Sequence, residues 1–219
     1  RRVHHFNGYK SPWKYTPNLW HSFQHFISFG QAVTDKLIVW LGGYKEEDLI
    51  FSGYSKFESL KKQEKGLVII TSHLGNSEIC SAIAGDVKGL PLTVVMDNAH
   101  APNFQRIAGE ISTKENTIEI IQVNEINPDI AIRLQCKILA GETIIIAGDR
   151  MPAKNQTRFE ILPFLGQDAA FPQGPFILAR LLDCPVLLLF STKHKKGYHV
   201  VFEPFSDSLK TLIKNREVD

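Results

Sequence analysis

The sequence predicts an α/β fold: a mostly parallel mixed central sheet flanked by helices, with an N-terminal amphipathic helix. Short apolar runs alternate with helical patterns along the chain, which is typical of a parallel sheet covered on both faces. The 219 residues, 43% of them hydrophobic and 22% charged, are enough for one large domain of ordinary globular composition. We expect an arm and helix over 1–45 and the α/β domain over 46–219, shortened at its C-terminus.

The first predicted helix begins at Pro17 and ends before Gly42, with apolar residues at helical spacing. Phe29 and Ile38 lie off this stripe, so the helix is apolar on more than one face. Two interpretations stay open. The helix packs on the domain body, or it lies partly in a membrane interface, where Trp and Phe suit the headgroup boundary. Polar residues interrupt the stretch and argue against a simple transmembrane span.

The remaining elements follow from apolar runs, helical periods and the positions of Gly and Pro. We predict that the last two strands form an antiparallel hairpin around the turn at 195–197. The predicted helices lie at 56–65, 76–84, 102–111, 128–140 and 175–182, and the predicted strands at 67–70, 92–96, 118–123, 143–147, 159–164, 185–192 and 198–203.

Composition argues against several classes of function. A net charge of +2 and the absence of basic stretches interleaved with aromatics argue against a nucleic-acid partner. The eight histidines and three cysteines are not spaced as metal ligands, so we expect no metal site and interpret the cysteines as buried, reduced thiols. The sequence contains no G-x-S-x-G serine motif and no glycine-rich phosphate loop.

A histidine and an acid follow the first buried strand, in Ser72-His73-Leu74-Gly75-Asn76-Ser77-Glu78. The carboxyl ends of strands are where open α/β sheets place their ligand sites. If His73 lies in the turn and a helix begins at Asn76 or Ser77, Glu78 can reach back to one imidazole nitrogen and leave the other to take a proton. The alternative is that His73 merely bonds a loop and Glu78 is an ordinary helix-start acid.

Two further segments repeat this arrangement of polar residues after a strand. Asp149 and Arg150 follow the strand over 143–147 and should share an edge with His73 if the two strands are parallel. Arg150 suits a phosphate or another anionic head group; alternatively, both side chains simply pair with neighbours. After Gln173, Gly174 opens a helix whose free N–H groups suit an anion or oxyanion.

Aromatic residues surround that helix start, at Phe164, Phe171 and Phe176. They can form a wall for an acyl chain, although aromatics at such spacing are more often part of a core. We take Asn76, Asp149, Arg150, Phe171, Gln173 and Gly174 as candidate substrate-binding residues, and His73 and Glu78 as candidate catalytic residues.

The three segments resemble, in order and spacing, conserved blocks of the bacterial lysophospholipid acyltransferase superfamily, in the branch of the lipid A late acyltransferases. The resemblance runs from about Trp20 to Phe205 and rests on the blocks at 72–78, 148–150 and 164–176. Within that branch, residues 97–106 depart from the lipid A enzymes. The chain looks more like the variant enzymes linked to aminolipids or aryl-polyene-type lipids.

The resemblance implies an activity. His73 would deprotonate a hydroxyl or amine of a lipid acceptor, oriented by Glu78, and the acceptor would attack the thioester of an acyl carrier protein or acyl-coenzyme A. Arg150 and the backbone near Gly174 would stabilise charge or hold the head group. The reaction would need no metal or prosthetic group. The family also implies a membrane partner, at the cytoplasmic face of the bacterial inner membrane. A hydrolase with the same base and a non-catalytic lipid-binding module are the competing interpretations.

Overall fold

The computed structural model describes residues 18–40, 46–76, 91–97, 118–151, 158–194 and 197–210. Within these ranges the helices are α1 (Leu19–Trp40), α2 (Tyr54–Lys62), α3 (Pro128–Leu139) and α4 (Gly174–Leu182). The strands are β1 (Leu49–Ser52), β2 (Leu67–Gly75), β3 (Leu92–Met96), β4 (Ile118–Gln122), β5 (Thr143–Ala147), β6 (Phe159–Phe164), β7 (Gln167–Pro172), β8 (Val186–His194) and β9 (Gly197–Ser206). The helices predicted over 76–84 and 102–111 fall outside the described residues, apart from Asn76.

The mostly parallel central sheet is confirmed. Its seven strands lie in the order β1-β9-β8-β2-β5-β3-β4. Strands β8, β2, β5, β3 and β4 run in one direction. The predicted antiparallel hairpin of β8 and β9 is also confirmed, and β1 joins β9 in parallel at the edge. The carboxyl ends of β2, β5 and β8 therefore meet at one edge of the sheet.

Helices cover the sheet on both faces, and each face has its own core. On one side α2 buries Phe57 and Leu60 against residues of β2, β8 and β9. On the other side α3 and α4 bury Leu134 and Leu178 against β2, β5 and β8. Strands β2 and β5 contribute to both cores because their side chains alternate between faces that are both buried. This explains why the strands read as continuous apolar runs.

Local sequence signals fix the helix starts. Pro128 occupies the first turn of α3, where its missing N–H costs nothing. The side chain of Asn127 caps the same helix by accepting a hydrogen bond from the backbone N–H of Ile130 at 2.9 Å. Pro175 occupies the first turn of α4 in the same way.

Two strands were not predicted. One is β1, a four-residue edge strand. The other is β7, which pairs with the predicted β6 in a two-stranded antiparallel ribbon outside the main sheet. Leu165 and Gly166 connect the two strands with φ of 52° and 82°, as a two-residue hairpin turn requires. Only Gly166 is a usual residue for that conformation, so the sequence signal for the hairpin is weak.

Among the side chains that the structure describes, polar groups join helix α1 to the sheet. Asp35, 7% exposed, accepts hydrogen bonds from Lys193 of β8 and Tyr198 of β9. By contrast Leu19, Trp20 and Phe26 are 79%, 61% and 71% exposed. The helix is thus attached at its C-terminal half, with large apolar side chains facing outward.

The described cysteines differ in burial. Burial raises the pKa of the Cys184 thiol to about 12, as predicted for a core thiol. The expectation of a buried thiol is wrong for Cys136, which is exposed. It lies on α3 between the buried Leu134 and Ile138, and at 100° per residue the middle position points away from the sheet.

Candidate functional site

His73 lies where β2 leaves the regular ladder. Residues up to Thr71 pair with β5 and β8, and the register then shifts before Gly75 pairs with Ser191 of β8. Gly75 has a φ of 76°, and a Cβ there would lie 1.5 Å from the carbonyl oxygen of Ser191. Only glycine fits this position. The chain thus bows outward between two fixed points. His73 sits on this bow, inside β2, whereas the predicted strand ends at Ile70.

The carboxylate of Asp149 holds His73 at two points. Asp149 Oδ1 lies 2.8 Å from the ring Nδ1 of His73. Asp149 Oδ2 accepts a hydrogen bond from the backbone N–H of His73, also at 2.8 Å. The prediction that the two residues share an edge is correct, because β2 and β5 are parallel neighbours with Thr71 opposite Ala147.

Hydrogen bonding outweighs burial in setting the charge of this carboxylate. Burial alone would raise the pKa of Asp149. The hydrogen bonds from the side chain and backbone of His73 oppose that effect and hold the pKa below its ordinary value of 3.8. Asp149 is therefore ionised at neutral pH. The His73 side chain is 41% exposed, and its Nε2 makes no hydrogen bond with the described part of the chain.

The predicted substrate-binding residues near His73 differ in accessibility. Asn76 is 1% exposed and donates from Nδ2 to the carbonyl oxygen of Ala32 at 3.2 Å, so it ties α1 to the end of β2. Its Oδ1 is buried and has no hydrogen-bond partner in the described ranges. Arg150 is exposed and forms no ion pair with a described residue, so its guanidinium is accessible to an anion.

The later block adopts a ribbon followed by a helix. Phe171 of β7 packs edge-on against Phe164 of β6, with ring centroids 5.5 Å apart. The side chain of Gln173 donates to Glu160 at 3.1 Å, so it is already bonded to the ribbon. Gly174 begins α4 and is exposed, with open space where a Cβ would lie.

The blocks of 148–150 and 174–176 lie side by side. A Cβ added at Gly148 would lie 2.7 Å from Ile70 Cγ2, 3.9 Å from Pro175 Cβ and 4.0 Å from Phe176 Cε2. The backbone N–H of Gly148 also donates to the carbonyl oxygen of Thr71 at 2.9 Å. Gly148, directly before Asp149, therefore lies next to the first turn of α4.

Glu78 lies outside the described residues, so its predicted contact with His73 stays a prediction. Sequence reasoning placed Asp149 among the substrate-binding residues and missed its bond to His73. The available signal was positional. The last pair between β2 and β5 is Thr71 with Ala147, and His73 and Asp149 each lie two residues beyond it. Sequence reasoning also missed the cluster of Asp35, Lys193 and Tyr198 at the same edge.

Among the described residues, no three His, Cys, Asp or Glu side chains are grouped as metal ligands. None of the helices in the described ranges is both long and apolar enough to cross a bilayer. In comparisons with known proteins, no family model and no curated protein matches this chain.

Proposed function

We propose that this protein is an acyltransferase that moves a fatty acyl group from an acyl thioester to a hydroxyl or amine of a lipid acceptor. The observation that carries the proposal is the His73–Asp149 couple at the carboxyl edge of a parallel sheet. A histidine with an ionised carboxylate on one nitrogen and an open second nitrogen is the arrangement of a general base. Glu78 is a second candidate for a carboxylate behind His73.

His73 performs the proton transfers of the proposed reaction. Its Nε2 takes the proton of the acceptor hydroxyl or amine while the acceptor atom forms a bond to the thioester carbonyl carbon. The C–S bond then breaks, and the departing thiolate takes the proton from Nε2. The donor is an acyl carrier protein or acyl-coenzyme A, and the scheme needs no metal or prosthetic group.

Neighbouring groups supply charge and shape. Arg150 binds the anionic head group or carrier phosphate, since its guanidinium makes no ion pair with a described residue. The N-terminal turn of α4 at Gly174 stabilises the developing oxyanion. Phe171 and Phe164 form an apolar wall for the acyl chain, and Gln173 and Asn76 position the segments that carry these groups.

The outward face of α1 supports a membrane partner. A helix that packs on a protein core buries its apolar stripe, whereas Trp20, Phe23 and Phe26 of α1 are exposed. We propose that α1 is amphipathic in function, with this side in the membrane interface and Asp35 on the protein side. The corresponding location is the cytoplasmic face of a bacterial inner membrane.

The resemblance to the lysophospholipid acyltransferase superfamily, in its lipid A-like branch, is part of the same proposal. Its support is that the residues of the second and third blocks lie beside the His73 strand. The main alternative is an acyl-thioester hydrolase. The 41% exposure of the His73 side chain favours the hydrolase, because water can reach the same base.

The test is acyl transfer from labelled acyl carrier protein or acyl-coenzyme A into extracted bacterial membrane lipids. We expect a labelled lipid from the native protein and a loss of about 10²- to 10⁴-fold in His73→Ala, the usual contribution of a general base. Free fatty acid formed at the same rate without lipid would indicate the hydrolase. Equal transfer by the variant would exclude His73 as the base.

A further inference from the structure

We infer that Asp149, rather than Glu78, is the residue that positions His73 and makes Nε2 its reacting nitrogen. The geometry of the couple carries this inference, and its catalytic meaning rests on the proposed function. Asp149 lies two residues after β5, whereas His73 lies in β2, so the pair exists only in the folded sheet.

One carboxylate fixes both the main chain and the ring of His73. The backbone N–H bond to Oδ2 and the Nδ1 contact with Oδ1, each 2.8 Å, set the ring orientation relative to the strand. An ionised carboxylate accepts hydrogen bonds and cannot donate them. The hydrogen of a neutral imidazole must therefore lie on Nδ1, which leaves the lone pair on Nε2.

The segment that carries Asp149 is fixed to β2, so its carboxylate keeps its position beside His73. Residue Gly148, directly before it, is bonded through its N–H to Thr71 of β2 and has no room for a side chain against Ile70. Thr71 is itself anchored, since its hydroxyl donates to the carbonyl oxygen of Leu189 in β8 at 3.0 Å. The end of β2 that carries His73 and the segment after β5 that carries Asp149 are thus joined by backbone and side-chain bonds.

The negative charge of Asp149 also stabilises His73 after it has taken a proton. When Nε2 takes a proton the imidazole becomes a cation, and a partly buried anion on Nδ1 stabilises it. A neutral imidazole carries a single N–H, and Asp149 accepts it. Glu78 is therefore not required to fix the tautomer.

The tautomer of His73 is measurable by ¹⁵N NMR of histidine-labelled protein at a pH where the ring is neutral. The His73 signals are assigned by their loss in His73→Gln. We expect the Nδ1–H tautomer in the native protein and in Glu78→Gln. In Asp149→Asn the amide NH₂ can donate to Nδ1, so the Nε2–H tautomer should become dominant. Unchanged signals from the other histidines, His199 among them, show that each variant is folded.

Transfer activity gives the second reading. In Asp149→Asn we expect transfer to fall by about 10⁴-fold, the effect of a wrong tautomer in a triad. The inference is overturned if Asp149→Asn leaves the tautomer unchanged, or if Glu78→Gln is the variant that changes it. A tautomer that follows Asp149 in a protein without transfer activity would sink the proposed function and leave the positioning role intact.

Discussion

Among the described residues, His73 and His199 each use one ring nitrogen to bond a neighbouring part of the sheet, and the two use different nitrogens. His73 has an ionised carboxylate on Nδ1 and an Nε2 with no described partner. His199 of β9 has its Nε2 2.8 Å from the hydroxyl of Ser52 in β1. Nε2 is therefore open in His73 and bonded in His199.

The backbone explains this difference. His199 is part of the ladder on both sides, opposite Thr192 of β8 and Ile50 of β1. His73 lies on a bow between Thr71 and Gly75 that leaves the ladder. The ring of His199 lies on one face of the sheet, where Ser52 is the diagonal neighbour two residues beyond Ile50. His73 instead lies past the ladder with β5, where Asp149 follows that strand. The proposed function therefore needs His73, whose Nε2 is open, and gives His199 only a structural bond.

The largest expected difference is in activity. We expect His73→Gln to lower acyl transfer by about 10²- to 10⁴-fold, because glutamine cannot act as a base. The matched change His199→Gln should leave transfer within about twofold, since an amide can still bond the Ser52 hydroxyl. Both rates are measured with the same labelled thioester and lipid extract. Comparable losses in the two variants would contradict the comparison.

A smaller effect is expected in stability when the structural couple is broken. Ser52→Ala removes a half-buried hydrogen bond and should lower the free energy of unfolding by about 1 kcal/mol, as measured by urea denaturation. Ser59→Ala, on the exposed side of α2, is the control and should change it by less than about 0.5 kcal/mol. If Ser52→Ala instead abolished acyl transfer at unchanged stability, the Ser52–His199 couple would have a chemical role.

The smallest effect concerns pH. Asp149 has a pKa below its ordinary value of 3.8 in the folded protein, so its ionised form stabilises the fold above that value. This contribution is lost as the pH falls through the lowered pKa. We expect Asp149→Asn to lose less stability than the native protein between about pH 5 and about pH 3, as followed by urea midpoints.

The control for the pH experiment is Asp168→Asn. Asp168 is an exposed aspartate of β7 that forms no ion pair within the described ranges. It should lose as much stability as the native protein over the same pH range. An Asp149→Asn curve parallel to that of the native protein would show that the His73 bond does not stabilise the ionised carboxylate.

Much of the sheet could be predicted from local pattern. Strands β3, β5 and β6 have the predicted bounds, because each is an apolar run or an alternating run limited by turn residues. Strand β1 was missed because four residues at an edge carry too little periodicity. Strand β7 was missed because Gln167 to Pro172 carries little apolar signal of its own, and its pairing depends on a turn with Leu165 in a left-handed conformation.

The position of the candidate site in the fold could be predicted from the sequence, but the contacts between its side chains could not. Sequence reasoning placed His73 and Asp149 at one edge, since both follow buried strands of a parallel sheet. It could not identify their bond, because that depends on β2 and β5 being direct neighbours in register and on the close approach of Gly148 to Ile70. The contact predicted for Glu78, the acid nearest to His73 in the sequence, falls outside the described residues and stays a prediction.

The α/β class, most of the described helices and strands and the segments with polar residues at strand ends could be predicted from the sequence alone. These depend on periodicity, on Gly and Pro, and on capping residues, all of which act over a few residues. Tertiary contacts bring Asp149 to His73 and Asn76 to Ala32 of α1, and they leave Trp20, Phe23 and Phe26 of α1 exposed. Strand order, register and the burial of Asp35 set these contacts, and all three arise from residues far apart in the chain.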